Sequence, residues 1–319
     1  MEASAVISAR ALRRVFKARK GAVEAVAGID LDVRGGEIFG FLGPNGAGKT
    51  TTLRMLSTLL QPTSGEAVIA GANLLTEPNR VRERIGYVGQ RGSSDPSLTG
   101  RAELILQARL HGAGKAEAEA RAEELIASLE LADCADRKTK TYSGGQKRRL
   151  DIGVGLAHRP LVLFLDEPTT GLDPQSRARL WDEVKRLRDG GTTVFITTHY
   201  MDEADVLCDR LAIIDHGRIV VEGTPIELKR QVAGDVVTIG VSDGARALEL
   251  LRSQPFVREA SADDGQVRLY VDRGEAAMPA VLRLLDGAGV ELSELELHRP
   301  SLDDVFLRQT GRSLREESN

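Results

Sequence analysis

Cysteine is scarce in this 319-residue chain: Cys134 and Cys208 are the two present, and they form no C-x-x-C pair. That spacing suggests neither a disulfide framework nor a zinc site; buried or idle thiols in a reducing compartment are the simpler account. Aromatic residues make up 4% and the formal net charge is -4, so the basic faces and stacking rings of a nucleic-acid binder are missing. No nucleic-acid partner is therefore expected. No apolar run approaches the ~20 residues of a membrane span. Met1-Glu2-Ala3-Ser4 opens with an acid and leads into a broken, arginine-rich segment, unlike a signal peptide. The hydrophobic share of 41% is ordinary for a soluble protein, and the length suits two domains around large cores.

One stretch carries specific chemistry. Gly43, Pro44, Asn45, Gly46, Ala47, Gly48, Lys49, Thr50 and Thr51 satisfy the phosphate-loop pattern G-x-x-x-x-G-K-[ST]. The apolar run Ile38-Phe39-Gly40-Phe41-Leu42 precedes the loop and Leu53-Arg54-Met55-Leu56 follows it, giving the strand, loop and helix that the pattern requires. Glycines let the backbone curl with its N–H groups turned inward on phosphate oxygens. The helix starting at Lys49 adds the positive end of its dipole. Lys49 is the expected cation for the β- and γ-phosphates, and the Thr50 hydroxyl the expected Mg²⁺ ligand. The chain is read as a nucleotide-binding protein.

Around the loop, residues 5–16 and 29–33 read as strands. Phe16 is either a ring that stacks on a nucleotide base or a plain core residue. A helix is expected over residues 49–60, strands over 66–70 and 85–88, and helices over 101–111 and 115–129 as an insertion. Gln90 stands just past a strand in a polar surface loop, where glutamine alone means little. Tyr142-Ser143-Gly144-Gly145-Gln146 begins a helix, since Ser143 and Gln146 are spaced as a capping box. Exposed glycines at a helix N-terminus make a second anion site or a simple cap. Residues 161–165 read as a buried parallel strand that delivers Asp166 and Glu167 at its C-terminal end, where α/β sheets bind ligands. Asp166 then belongs to the Mg²⁺ shell, and Glu167 polarises the attacking water. Asp173 follows in a turn, placed to orient neighbouring groups, and a helix over residues 175–189 holds Trp181 as core packing. The apolar strand over residues 193–198 ends in His199, placed like Asp166 and able to reach a γ-phosphate.

From Asp235 onward the order is strand, helix, strand, strand, helix, strand and one more helix, that of a small ferredoxin-like domain. The expected layout is an α/β domain over residues 1–230 with a helical subdomain at about 91–158, an accessory α+β domain over 235–310, and a disordered tail over 311–319.

The phosphate loop, Gln90, the Ser143–Gln146 segment, Asp166-Glu167, Gly171-Leu172-Asp173 and His199 resemble, in order and spacing, an ATP-binding-cassette ATPase subunit over residues 1–230. Tyr142 departs from the leucine more usual there, which alters helix-entry packing. The resemblance implies a P-loop NTPase fold, ATP and Mg²⁺ as ligands, and Gln90 beside Thr50 and Asp166 at the metal. It further implies that Ser143, Gly144, Gly145 and Gln146 of one copy close over ATP held by a second copy. Tyr87-Val88-Gly89-Gln90, Leu98-Thr99-Gly100-Arg101, the C-terminal domain and Pro300-Ser301-Leu302-Asp303-Asp304-Val305-Phe306 resemble daunorubicin-resistance-type exporter ATPases. That narrower likeness implies drug or antibiotic export through a separately encoded membrane permease, from the cytoplasmic face of the membrane. A lipid or polysaccharide cargo is the alternative, and a soluble ATPase without transport a more distant one.

Overall fold

The computed structural model describes residues 5–18, 21–90, 92–232, 234–263 and 266–310; the expected tail over 311–319 lies outside them. The chain divides into two compact units between Thr224 and Pro225, six residues earlier than residue 230. The first unit runs β1 (Ala5–Ala18), β2 (Gly21–Arg34), β3 (Ile38–Leu42), α1 (Lys49–Leu56), β4 (Ser64–Ile69), β5 (Ala72–Asn73), α2 (Pro78–Arg82) and β6 (Ile85–Val88). It continues through α3 (Gly100–Leu110), α4 (Lys115–Ser128), α5 (Gly144–Leu156), β7 (Val162–Asp166), α6 (Pro174–Asp189), β8 (Thr193–Thr198), α7 (Met201–Leu207), β9 (Arg210–Asp215) and β10 (Arg218–Gly223).

The central sheet has the order β10-β9-β3-β8-β7-β6. All neighbours are parallel except β9 and β10. β3, β7 and β8 are buried along their whole length, as continuous apolar runs must be when both faces of a sheet are covered. Phe195 of β8 lies at the centre, its ring 5.6–5.7 Å from those of Phe39, Phe41 and Phe164. Burying each such ring stabilises the unit by about 1.5–3 kcal/mol. Register brings the strand ends level: Leu42 pairs with Thr198, Asp166 with Thr197 and Leu165 with Val88. The residues that follow four parallel strands therefore emerge along one edge. A second, antiparallel sheet of order β2-β1-β4-β5 lies in the same unit.

Two expectations need correction. The first helix stops at Leu56, not at residue 60, because Thr58 takes φ +64° and the chain cannot continue as a right-handed helix. Trp181 is only half-buried; its indole N–H donates to Glu203 Oε1 at 3.1 Å, so it serves a buried carboxyl and not merely the core.

The second unit comprises α8 (Pro225–Val232), β11 (Asp235–Val241), α9 (Gly244–Arg252), β12 (Val257–Asp263), β13 (Gln266–Val271), α10 (Gly274–Gly287), β14 (Leu292–His298) and α11 (Leu302–Thr310). Its antiparallel sheet has the order β12-β13-β11-β14, the ferredoxin-like arrangement. Alternate residues of β11 and β13, among them Val237, Ile239, Val267 and Leu269, pack against Ala247 and Leu251 of α9 and Val281 and Leu285 of α10. α8 and α11 pack on each other.

Candidate nucleotide-binding site

β3 ends at Leu42, and the chain turns at once through residues 43–48 into α1. Space forces glycine at two of these positions. A Cβ on Gly43 would lie 2.3 Å from the Ile214 carbonyl oxygen, and one on Gly48, at φ +106°, 2.5 Å from that of Ala25. Gly48 caps α1 without any side chain, so the helix's first N–H groups are left for a ligand. The loop borders an open cavity of about 350 Å³ that Ala25, Gln90 and Glu167 also line. That volume lies within the range of small-molecule sites.

The Lys49 side chain is 4% exposed. Its ammonium donates to the carbonyls of Gly43 at 2.7 Å and Pro44 at 2.9 Å and stands 3.5 Å from Glu167 Oε1. Burial holds its pKa below the usual amine value, against the pull of Glu167 and Asp166. A phosphate oxygen, being charged, is a stronger partner for this ammonium than two neutral carbonyls.

Asp166, at the end of β7, is 1% exposed, and its Oδ1 accepts from Thr50 Oγ1 at 3.0 Å and Thr197 Oγ1 at 2.8 Å. Among the described residues no three His, Cys, Asp or Glu side chains group as a metal cage. One carboxylate beside a hydroxyl suits Mg²⁺, which takes a few protein ligands and completes its shell with water and substrate phosphates. The donor set thus fits that ion.

Glu167 follows at φ +44°, a conformation that costs a non-glycine residue about 1–3 kcal/mol and persists only where its surroundings fix it. Here its N–H donates to Thr197 O and Oγ1, both at 3.1 Å. Its carboxylate accepts from Gln90 Nε2 at 3.2 Å and Thr170 Oγ1 at 3.4 Å. His199 Nδ1 lies 3.4 Å from Glu167 Oε2, but its direction is that of a close polar contact and not of an aligned hydrogen bond. The His199 ring first, and then Lys49, hold the Glu167 carboxyl below the usual range despite its burial.

Gly43 to Thr51, Gln90, Asp166, Glu167 and His199 are thus brought to one edge of the sheet. The other candidates stand apart from this cavity. Ser143 Oγ accepts from Gln146 N at 3.2 Å while Gln146 Oε1 accepts from Ser143 N at 3.0 Å, a capping box at the start of α5. Gly145 faces Ser176 of α6, where a Cβ would come within 2.9 Å of the hydroxyl oxygen. Tyr142 anchors this entry by donating its hydroxyl to Cys134 O at 2.7 Å. Asp173 caps α6, accepting from Ser176 N at 2.8 Å and Ser176 Oγ at 2.7 Å, and these bonds lower its pKa. Phe16 is 37% exposed with the Arg14 guanidinium 4.6 Å above its ring; this removes the core reading of that residue.

Sequence reasoning missed Thr197 and Arg148. Thr197 hides inside an apolar strand. Arg148 hides among the three consecutive cations Lys147-Arg148-Arg149; its burial shows only in that Arg148 shares a helix face with the buried Asp151.

A glycine phosphate loop on a parallel sheet, with a buried acid pair at the end of the strand two places along that sheet, defines a P-loop nucleoside triphosphatase. The profile of the ABC transporter family matches residues 26–170. That of the ATP-binding protein DrrA1-3-like C-terminal domain matches residues 223–310. The chain is 46% identical to the daunorubicin/doxorubicin resistance ATP-binding protein DrrA of Streptomyces peucetius, over 90% of this chain and 88% of that protein. It is 41% identical to the Nod factor export ATP-binding protein I of Burkholderia thailandensis, over 91% of this chain and 93% of that one. A dimeric ATP-binding cassette solved in a post-hydrolysis state with ADP and Pi superposes with a TM-score of 0.63 at 27% identity, covering 68% of this chain and 98% of that one. The chain belongs to the ABC transporter family, as an ATP-binding protein with a DrrA-type C-terminal domain. Members of that family bind and hydrolyse ATP.

Proposed function

We propose that this chain hydrolyses ATP to drive export of an amphiphilic drug or antibiotic through a separately encoded membrane permease. The observation that carries the reading is the Lys49–Glu167–Gln90 constellation around the phosphate loop, joined to the 46% identity with a drug-resistance protein over most of both chains. No helix among the described residues is long and apolar enough to cross a membrane, so the path for cargo is assigned to a partner. The chain would then sit against that partner at the cytoplasmic face.

In this reading the N–H groups of residues 43–51 cradle the phosphates, and Lys49 exchanges its carbonyl contacts for the β- and γ-phosphate oxygens. Thr50 and Asp166, with Gln90, hold Mg²⁺, which when bound neutralises charge developing on the phosphate oxygens. Glu167, kept ionised by its neighbours, accepts a proton from the attacking water. His199 fixes the Glu167 carboxylate and contacts the γ-phosphate, and Phe16 offers its exposed face to the base. Ser143, Gly144, Gly145, Gln146 and Asp173 complete the site of a second copy, giving two composite sites in a two-fold dimer. The permease docks on the surface between Gln90 and Leu110, where Leu106 is 42% and Leu110 70% exposed.

Identity to a Nod factor export protein favours a second reading, in which the cargo is not a drug. Co-expression with the neighbouring permease gene in a drug-sensitive host, followed by accumulation of several amphiphilic drugs, separates the two. Lower accumulation of at least one drug is expected. Unchanged accumulation of all, with an active ATPase, removes drug export and leaves the ATPase.

A further inference from the structure

Arg148 lies on α5, five positions beyond Ser143, and is 7% exposed. Its guanidinium donates to three main-chain carbonyls: Nε to Pro168 at 2.8 Å, Nη1 to Gly89 at 2.7 Å and Nη2 to Asp166 at 3.2 Å. Asp166 and Pro168 flank Glu167 on either side, and Gly89 precedes Gln90. One turn further along the same helix, Asp151 Oδ1 accepts from the N–H groups of Ser93 and Ser94 at 3.0 and 3.1 Å. A single helix thus holds the backbone on both sides of Glu167 and on both sides of Gln90.

Burying a guanidinium against neutral carbonyls carries a desolvation penalty that an apolar side chain of similar size would avoid. Its gain is geometric. The planar fork fixes three carbonyls in one frame, which a lysine ammonium cannot reproduce. Glu167 needs such a frame, since its left-handed backbone is held only by its surroundings.

We propose that Arg148 is a positioning residue for hydrolysis: it sets Glu167 and Gln90 relative to each other and ties both to the helix whose N-terminus bears Ser143. It follows that engagement of Ser143 with nucleotide on a second copy is transmitted along α5 to the chain's own Glu167. The inference rests on the two-copy ATPase reading above.

The test uses the full chain with Arg148→Lys and Arg148→Met, measuring affinity for a fluorescent ATP analogue, kcat, KM and thermal unfolding. Affinity and KM should stay within about threefold, because the phosphate loop is untouched, while kcat falls about 10²-fold for Arg148→Met, the scale of a 1 Å misplacement at a reacting centre. Arg148→Lys, which keeps the charge and loses the fork, should recover about tenfold of that loss. A double-mutant cycle supplies a readout that a merely structural role would not move. In a Glu167→Gln background, Arg148→Lys should change single-turnover hydrolysis by less than about threefold, since its effect is exerted through Glu167. Normal kcat in folded Arg148→Lys, or a fully additive cycle, overturns the proposal. If Arg148→Met fails to fold, Arg148→Lys and the cycle decide. A wild-type chain that binds ATP without turnover removes the underlying ATPase reading instead, so the two failures are distinguishable.

Discussion

Replacing Glu167 by glutamine keeps the shape of the side chain and removes its charge, which separates chemistry from binding. The Glu167 carboxylate stands 3.5 Å from Lys49 Nζ, a gross attraction of about 5 kcal/mol at an effective dielectric of 20. Most of this is offset by the burial of both groups, and Lys49 keeps its bonds to the Gly43 and Pro44 carbonyls in the variant. The net loss of stability should therefore be about 1–2 kcal/mol, nearer a charged hydrogen bond than a stranded ion. The sign of its pH dependence follows from the lowered pKa of Glu167. The carboxylate's contribution is fully present above the ordinary carboxylate range and disappears as pH falls through the lower folded value. The gap between wild type and Glu167→Gln should hold constant near neutrality and close in acid. Turnover should fall further than stability suggests, by about 10²–10⁴-fold, because a general base has been removed. ATP affinity should not weaken, since the loop and Lys49 remain. Phosphate release and nucleotide titration on the same preparation test this. A folded Glu167→Gln chain hydrolysing ATP within about threefold of wild type would falsify the role given to Glu167.

Lys49→Ala removes the ammonium and should weaken ATP binding itself, by about tenfold or more for the loss of one charge-assisted contact; titration with unchanged affinity would reject the phosphate role of Lys49. Mixing Lys49→Ala with Ser143→Arg chains puts both lesions in one composite site and leaves the other whole, so the mixture should regain ATPase activity over either variant alone. No regain at any ratio argues against the two-copy site. Gly48→Ala places a Cβ 2.5 Å from the Ala25 carbonyl oxygen at φ +106°, which should cost about 1–3 kcal/mol and reshape the loop. Calorimetry showing wild-type stability, together with normal ATP binding, would mean that the loop tolerates what its geometry forbids.

What the sequence disclosed, and what it hid, follows from the kind of neighbour each residue has. The phosphate loop was legible because strand, loop and helix are consecutive, and two of its glycines, Gly43 and Gly48, prove to be required by the Ile214 and Ala25 carbonyls that press on them. Asp166 and His199 were legible as polar residues at the tips of apolar strands, and the register of β3, β7 and β8 is what sets those tips level. The ferredoxin-like order of the second unit was legible because its alternation of strand and helix is local. Contacts made across the sheet were not. Thr197 looked like one more strand residue, yet its hydroxyl donates to Asp166 and accepts from the Glu167 N–H. Trp181 looked like core, yet it serves Glu203, twenty-two residues away and wholly buried. Arg148 is the extreme case, since its three acceptors lie 18, 20 and 59 residues away. Periodicity can say that a side chain shares a helix face with buried groups, but not that the face meets three carbonyls from two separate strand ends. Motifs in this chain mark the groups assigned to phosphate, whereas the groups that hold those motifs in place are scattered and carry no local signature. Arg148, outside every motif, is therefore the residue whose substitution best distinguishes a site that is merely present from one held in working geometry.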